Sequence, residues 1–330
     1  AASGEDNLGL KRARFKMEGH VAKPWLTYKI EHDLVGNRLL DARFTVAKWK
    51  WLQFSAGQWK AEYSRERVDS SGKQQFAERS IVNRAFTVDR QKGVMLHGRV
   101  GEDQWWDSQY FSGVFSGNGR GFRQPALTQQ SHDDGGALWV NRYQWNALGG
   151  GVGFSQSDLE RTRKPALSLA VASARNRSRY TRFSSSGGGQ LDGFSAGAPG
   201  QYSIRQELVE AAFKYRGFST QNEYHWKSVR DNLSGRLTPL RGMVLQAGYF
   251  PSEAWAAIPR QLEVGVRKAF VDPNANVARD RQREIALVVN WFFEGHNDKL
   301  TFDVSRYSLV RQTGAELGDV QVRAQWELTF

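Results

Sequence analysis

Basic residues recur at every second position in several segments of this sequence, and this spacing suggests a binding chemistry. Near the N-terminus, Arg12, Arg14 and Lys16 alternate with Ala13 and Phe15. In a β-strand such residues share one face. An arginine offers a fork of N–H donors and a permanent charge, which suits the oxygens of phosphate or carboxylate. The spacing therefore predicts a surface that coordinates small anions.

The same parity argument, applied along the chain, predicts a set of basic residues on one aqueous face. They are Arg12, Arg14, Lys16, Lys29, Arg43, Arg99, Arg142, Lys214, Arg216, Arg267 and Arg323. Acidic residues on the same faces include Glu18, Glu31, Asp41, Glu210 and Glu263. The face is thus mixed with a basic surplus. For any single residue, the alternative is that its charge merely solvates a wet interior and does not bind an anion.

Residues 60–92 form a long basic connection that could narrow a channel. The segment carries Arg65, Arg67, Lys73, Arg79, Arg84 and Arg90. It is too long for a simple turn, so we expect it to fold inward as a constriction. The alternative is an external loop that faces anionic lipopolysaccharide.

Catalytic, metal and cofactor sites are not expected. Cysteine is absent, which excludes disulfides and thiolate ligands. His20, His97 and His225 show no metal-ligand spacing. The glycine runs 149–151 and 187–189 precede no helix and so do not resemble phosphate loops. The net charge of +12 could suggest a nucleic-acid partner, but the alternating positions of the charges argue against one.

The elements that must carry these residues are long amphipathic strands. In residues 318–330, Val320, Val322, Ala324, Trp326, Leu328 and Phe330 share one face, and polar residues share the other. This alternation outlasts the five or six residues of an ordinary soluble strand. It reaches the roughly nine to eleven residues that a tilted strand needs to cross a bilayer. No apolar run is long enough for a membrane helix.

About fifteen such segments predict an all-β fold, an antiparallel transmembrane β-barrel over residues 1–330. Short joints alternate with long ones rich in Gly, Ser, Asn and Asp, which is typical of short periplasmic turns and long external loops. Joints 147–165 and 251–260 are longer than this scheme expects. Aromatic residues near strand ends, such as Trp49, Trp51, Trp291 and Phe330, indicate membrane interfaces.

The strand count leaves the barrel one short of an even number. If Phe330 is periplasmic, the strand of Arg12 and Arg14 runs in the same direction as the last strand, so the two cannot pair antiparallel. We expect a sixteenth strand ahead of Ala1. Direct pairing of the first and last strands would instead indicate a missed strand, most readily within residues 147–165. The N-terminus shows no secretory signal, so we expect any such signal to have been removed.

The chain resembles the phosphate-selective porin O and P family of Gram-negative outer membranes. The resemblance is carried by LKRARFKMEG (10–19), WLTYKIEHDL (25–34), GQWKAEYSRER (57–67), GVMLHGRV (93–100), VVNWFFEG (288–295) and a final phenylalanine. It covers nearly the whole chain. It implies a homotrimer of sixteen-stranded barrels in the outer membrane, each with an anion-selective pore and a strand before the basic one.

The resemblance also implies particular pore residues. The family's basic pair falls on Lys11 and Arg12, and its constriction lysine falls on Arg67, after Glu66. The sequence departs from the family at Arg14 and Lys60, where aromatic residues stand in the family pattern. These departures bear on the preference for phosphate, whereas general anion selectivity rests on the whole basic set, to which Lys60 and Arg65 also belong.

The sequence therefore predicts an outer-membrane porin, a passive channel that favours small anions. Its expected partners are outer-membrane lipid, lipopolysaccharide and the anions themselves, with no cofactor. The alternative is a structural or docking barrel, a sleeve within a larger envelope complex. A plugged lumen and no measurable ion conductance would favour it.

Overall fold

The computed structural model describes residues 8–117, 119, 136–183, 189–278, 280–310 and 316–329. Over these residues it contains fifteen strands, two short α-helices and two single-turn 3-10 helices, Ser71–Lys73 and Pro251–Glu253. The strands are β1 (Arg14–Val21), β2 (Lys23–Asp33), β3 (Arg38–Trp49), β4 (Leu52–Lys60), β5 (Arg90–Val100), β6 (Ser108–Phe115), β7 (Leu138–Leu148), β8 (Ala166–Ser178), β9 (Tyr202–Tyr215), β10 (Phe218–Asp231), β11 (Leu237–Tyr249), β12 (Leu262–Asp272), β13 (Gln282–Glu294), β14 (Asp298–Val310) and β15 (Glu316–Leu328); the helices are α1 (Arg65–Val68) and α2 (Ile81–Phe86).

The strands form one antiparallel meander in which each strand pairs with the next along the chain. Within this sheet β1 and β15 are not paired with each other, and residues 149–165 contain no strand. An odd number of antiparallel strands makes β1 and β15 run in the same direction, as the sequence predicts. The strand expected before Ala1 lies outside the described residues, as does Phe330, so that expectation stays a prediction.

The two faces of the sheet have opposite character because side chains alternate along each strand. On β13, Ile285, Leu287 and Val289 are exposed on the outer face, while Glu284, Ala286, Val288 and Asn290 are buried inside. The apolar outer face is the surface that a lipid bilayer solvates. Within the described residues, no helix is long and apolar enough to span a membrane.

The connections define the two ends of the barrel. One end has connections 61–89, 116–137, 179–201, 232–236, 273–281 and the tight turn 34–37, and the other has joints at 22, 50–51, 216–217 and 295–297. The end with the long loops is external. Connections 149–165 and 250–261 are the long exceptions on the periplasmic side, and the first of them folds into the lumen.

Apolar packing fills part of the lumen, although alternation alone predicts a polar interior. Trp59, Tyr63, Met95, Phe115 and Phe183 pack against the inward residues Leu138, Val140, Ala174, Ile204 and Leu208. A second cluster joins Val82 and Phe86 to Val229, Leu240, Val244 and Val271. The sequence left the orientation of β6 open. Phe115 is buried in the first cluster and Phe111 packs against it, so these two residues point inward.

Candidate functional site: a constriction inside the barrel

Residues 61–89, between β4 and β5, form a constriction segment that enters the lumen from the external end. Most of its residues are buried, including Tyr63, Arg65, Glu66, Phe76 and Phe86. The side chains that surround it come from strands on every side of the barrel. The segment therefore lies inside the barrel, and its role as a constriction of the pore stays a prediction.

The first turn of α1 faces acidic residues of the barrel wall. Ser64 accepts a hydrogen bond from the backbone N–H of Arg67 at 3.2 Å. Glu210 on β9 accepts from the N–H of Arg65 at 3.2 Å, and Glu223 on β10 accepts from the N–H of Glu66 at 2.7 Å. The first N–H groups of a helix have no partners within it. The wall carboxylates supply those partners, with a charge that the helix dipole favours.

Glu210 is the centre of a buried cluster of charges. Arg65 donates from Nε to Glu210 at 2.7 Å, and Arg142 donates from Nη2 at 2.7 Å and from Nη1 at 2.9 Å. Arg65 also donates to the carbonyl of Val152, which belongs to the inward periplasmic connection. Arg142 donates to the carbonyl of Tyr63. The cluster thus joins β7, β9 and both inward segments at one point.

The far side of the lumen holds the segment by further hydrogen bonds. Gln75 donates to Glu263 at 2.8 Å, and the N–H of Ala77 donates to Asp303 at 3.0 Å. Lys299 donates to the carbonyl of Gln74 at 2.7 Å. Glu284 accepts from Arg267 and from the N–H of Ile81, the first residue of α2, at 2.8 Å each. These contacts place the segment against β12, β13 and β14.

Two glycines on the inward face of β11 make room for the segment. A β-carbon at Gly242 would lie 2.5 Å from the ring of Phe86, and one at Gly248 would lie 2.0 Å from the side-chain nitrogen of Gln75. Any other residue would push those side chains away from the wall. Glycine therefore allows α2 and the stretch before it to approach the sheet closely.

Burial shifts the pKa of ionisable groups in the segment. Burial raises the pKa of Asp69 to about 7, although the charges of Lys60 and Arg79 oppose the shift. Burial, and then the nearby charge of Arg67, lowers the pKa of Arg79 to about 9. Burial and the neighbouring carboxylate of Glu223 raise the pKa of Glu66. In this segment burial therefore disfavours the charged form of each group, and neighbouring charges strengthen or oppose that effect.

Several sequence-predicted basic residues point inward but are buried in these contacts. Arg65, Arg142 and Arg267 are almost wholly inaccessible and are paired with Glu210 or Glu284. Lys214 donates to the carbonyl of Ser157 at 2.7 Å, and Lys60 donates to the carbonyl of Asp69 at 2.8 Å. In this arrangement they hold chain segments in place.

A second group of predicted residues keeps part of each arginine side chain exposed, although Arg12 Nη1 and Arg14 Nε are themselves buried. In these pairs the arginine is more exposed than its carboxylate: Arg12–Glu327, Arg14–Glu31, Arg43–Glu62, Arg67–Asp89, Arg99–Asp107 and Arg323–Asp303. Arg43, for example, is 31% exposed and Glu62 is 10% exposed. In such pairs the arginine is the more accessible member.

The remaining candidates differ from these two groups. Lys16 is exposed, Lys29 pairs with Glu18, and Lys11 pairs with Glu78. Arg216 is corrected by the structure, because β9 ends at Tyr215. Arg216 instead occupies the periplasmic turn with a φ of 45°, and its N–H donates to the carbonyl of Thr162. Parity along the strand therefore does not apply to it.

Three further basic residues lie on the inward face of the wall and were not predicted there from the sequence. Lys227 donates to the carbonyl of Ala85, and Lys299 contacts Gln74. The parity of β10 and β14 would have identified both. Arg90 donates to Asp41 at 2.6 Å. The expected strand begins at Gly93, whereas β5 begins three residues earlier, so Arg90 was counted as part of the loop.

No group of three His, Asp or Glu side chains with metal-binding geometry occurs among the described residues. The inward carboxylates contact guanidinium, ammonium, amide or backbone N–H groups.

The fold and this internal constriction define an outer-membrane β-barrel channel. The sequence profile of the phosphate-selective porin O and P family matches residues 3–325, and the chain belongs to this family. This membership and the similar folds place the protein in the outer membrane of a Gram-negative bacterium.

Solved structures with the same fold are distant in sequence. The anion-selective porin from Comamonas acidovorans is 9% identical with a TM-score of 0.58, and the alignment covers 97% of this chain and 89% of that one. A loop L8 deletion mutant of OmpT, an outer membrane protein of Vibrio cholerae, is 10% identical with a TM-score of 0.57, over 96% and 90%. The outer membrane channel DcaP of Acinetobacter baumannii is 12% identical with a TM-score of 0.53, over 92% and 80%. Comparison with curated protein sequences finds no significant match.

We predict that Glu210→Gln loosens the constriction segment. The change leaves Arg65 and Arg142 without their shared carboxylate, and loss of one partner of a buried ion pair costs about 3–5 kcal/mol. The thermal unfolding midpoint should fall, and single-channel current should become larger or noisier. Glu207→Gln is the matched control, because Glu207 lies on the same strand but on the outer face, paired with Arg205. Equal behaviour of the two variants would contradict the assigned role of Glu210.

We predict a pH dependence that originates at Asp69. Its folded-state pKa of about 7 lies above the ordinary value of 3.8, so the folded protein retains a proton that the unfolded chain releases. This contribution to stability is full at low pH, falls as the pH rises from about 4 to 7, and is constant above 7. The stability of Asp69→Asn relative to the wild type should therefore be greater at pH 8 than at pH 5. Urea midpoints at both pH values test this, with the exposed Asp192→Asn as control, and a constant difference would exclude Asp69 as the source.

Proposed function

We propose that this porin is a passive diffusion channel whose basic lumen favours small anions such as phosphate. The observation that supports the proposal is the unequal exposure of the six half-buried arginine pairs. In each pair the protein covers the carboxylate side chain more than the arginine side chain. An ion in the lumen therefore meets the positive member first.

The physical reason is that exposure determines how strongly a charge is felt through water. A buried carboxylate stabilises its arginine, but it offers few free lone pairs to a passing cation. The exposed guanidinium edge keeps N–H donors that can replace part of the hydration shell of an anion. The exposed Lys16 and Lys73, which form no ion pair with a described residue, add to the positive surface.

Two lysine pairs oppose this arrangement but do not cancel it. In Lys11–Glu78 and Lys29–Glu18 the carboxylate is the more exposed member. Glu18 is 73% exposed and Glu78 is 46% exposed, so these two carboxylates are accessible to cations. The arginine edges therefore outnumber the accessible carboxylates along this wall.

We also propose that the protein assembles as a homotrimer in contact with lipopolysaccharide, as membership of the family implies. The Comamonas acidovorans structure is that of an anion-selective porin, which supports anion passage by analogy of fold. The proposed function needs no cofactor and no catalytic residue.

A second candidate function is a structural or docking barrel. The observation that favours it is the apolar packing of Tyr63, Phe86, Phe115 and Phe183 inside the barrel, which fills lumen space. Ion conductance distinguishes the two functions, because a sleeve closed by this packing would pass no current.

We predict anion over cation selectivity in planar bilayers. Reversal potentials in a KCl gradient should have the sign of chloride permeation, and added phosphate should reduce the chloride current. Arg43→Gln should lower the anion preference roughly twofold to threefold, the effect expected of one charge acting at about 8 Å through water. Arg230→Gln, on the outer face, is the control. A preference for potassium would refute anion selectivity, and the absence of current would support the sleeve.

We predict that Arg67 lies at or near the narrowest part of the pore. Its guanidinium pairs with Asp89 within the constriction segment, and donation from Nε spans 2.8 Å. Arg67→Ala should lower anion selectivity or phosphate block, whereas Arg67→Lys should retain most of both because it keeps the charge. If Arg67→Ala changes neither property while Arg12→Ala changes them, the constriction lies elsewhere.

A further inference from the structure

The outer face of the barrel carries a belt of basic residues near one end. On β8 to β14, at least one exposed basic side chain points away from the lumen in the external half of each strand. These residues, here called the outer basic belt, are Arg175, Arg177, Arg205, Arg230, Arg241, Lys268, Arg283 and Arg306. Outward acidic residues in the same region are Glu207, held by Arg205, and Asp272, held by Arg281.

The opposite ends of the same strands have a different composition. Toward the periplasm, the outward residues of these strands include Phe218, Tyr249, Trp291, Phe293 and Phe302, which form an aromatic and apolar surface. Aromatic rings are common at both membrane interfaces. On β8 to β14 the outward positive charge therefore lies in the external half of the wall, which indicates a ligand in the outer leaflet.

Three members of the belt converge on one spot. Ile285 on β13 lies directly between Lys268 on β12 and Arg306 on β14. Arg283 is two residues before Ile285 on the same face, so it is the diagonal neighbour of both. Diagonal cross-strand neighbours lie about 7–8 Å apart, within reach of long side chains. The three cations can thus surround a single oxyanion above Ile285.

The ion pairs and hydrogen bonds between described residues include none at these three side chains, and the nearby carboxylate of Asp272 is held by Arg281. Like charges this close repel one another. The wall on the membrane side is apolar, with Ile285 and Leu287 exposed beside them, while Asp272 and Asp280 line a cavity with Arg283 toward the external end. Unpaired cations at the edge of a lipid-facing band are stabilised when anionic lipid headgroups supply the counter-charge. Arginine in particular matches the geometry of phosphate oxygens.

We propose that Lys268, Arg283 and Arg306 bind a phosphate group of lipopolysaccharide on the outer wall of the barrel. Lipopolysaccharide is the anionic lipid of the outer leaflet, and its phosphates lie where the apolar band ends. The inference rests on the proposed contact with lipopolysaccharide and is independent of the pore, because the three side chains face away from the lumen. The rest of the outer basic belt extends the same surface around β8 to β11.

The test measures binding of fluorescent lipid A, with both phosphates, to purified protein in detergent. Combined Lys268→Gln, Arg283→Gln and Arg306→Gln should weaken binding roughly fivefold for each charge removed, and about 100-fold together. Arg283→Gln alone should produce the single step, and Arg283→Lys should retain most of the affinity. Binding should weaken further as salt is raised.

The control variant removes three exposed charges from the periplasmic side, Arg163→Gln, Lys164→Gln and Arg260→Gln, and should bind lipid A as the wild type does. Lipid A without phosphates should bind the wild type as weakly as the triple variant binds the intact lipid. Undiminished binding by the triple variant would overturn the site while leaving the lipopolysaccharide contact in place. If the wild type does not bind lipid A, both the three-residue site and the proposed lipopolysaccharide contact are excluded. If orthophosphate at equal concentration displaces lipid A, the residues form a site for the free ion instead.

Discussion

The constriction depends on carboxylates of the barrel wall that satisfy donors of a chain segment inside the lumen. A segment that enters the lumen takes its backbone N–H groups away from bulk water, and an unsatisfied buried donor costs about 1–3 kcal/mol. Glu210, Glu223, Glu284 and Asp303 accept from N–H groups of residues 65, 66, 81 and 77. Because these acceptors lie on β9, β10, β13 and β14, the segment is fixed from several directions.

Those carboxylates must themselves be neutralised, which explains the buried arginines. Glu210 and Glu284 would each be costly as isolated buried charges, and Arg65, Arg142 and Arg267 remove that cost by direct pairing. The basic residues of the lumen therefore fall into two physical classes. Arg65, Arg142 and Arg267 are wholly buried where they hold inward chain segments, whereas Arg43 and Arg14 contact the segment through Glu62 and Ser71 and stay partly exposed.

The strands could be predicted from the sequence because alternation is a local property. On β13 and β15 the period of two identified both the strand and its outward face without any knowledge of neighbours. The inward folding of residues 61–89 could be anticipated from length and charge. The wall residues that hold it could not be predicted, because Arg65 contacts Glu210, which is 145 positions away in the sequence. Parity says that Arg142 points inward, but only the packing of other segments shows that it is buried. Arg216 was misplaced because a strand end is set by its turn, which alternation does not reveal.

The same alternation also divides the positive charge between two solvents. Arg267 and Lys268 are adjacent, yet one is buried in the lumen against Glu284 and the other is exposed on the outer wall. A charge inside the barrel acts on solutes or on the constriction, and a charge outside acts on the membrane surface. A net charge of +12 therefore says little about the pore by itself. What matters for permeation is the subset that is both inward and accessible, because buried pairs contribute almost no field to the aqueous path and outward cations are separated from it by the wall. Substitution of an inward carboxylate should consequently act through the position of the constriction segment, whereas substitution of an accessible arginine should act on the permeating ion directly.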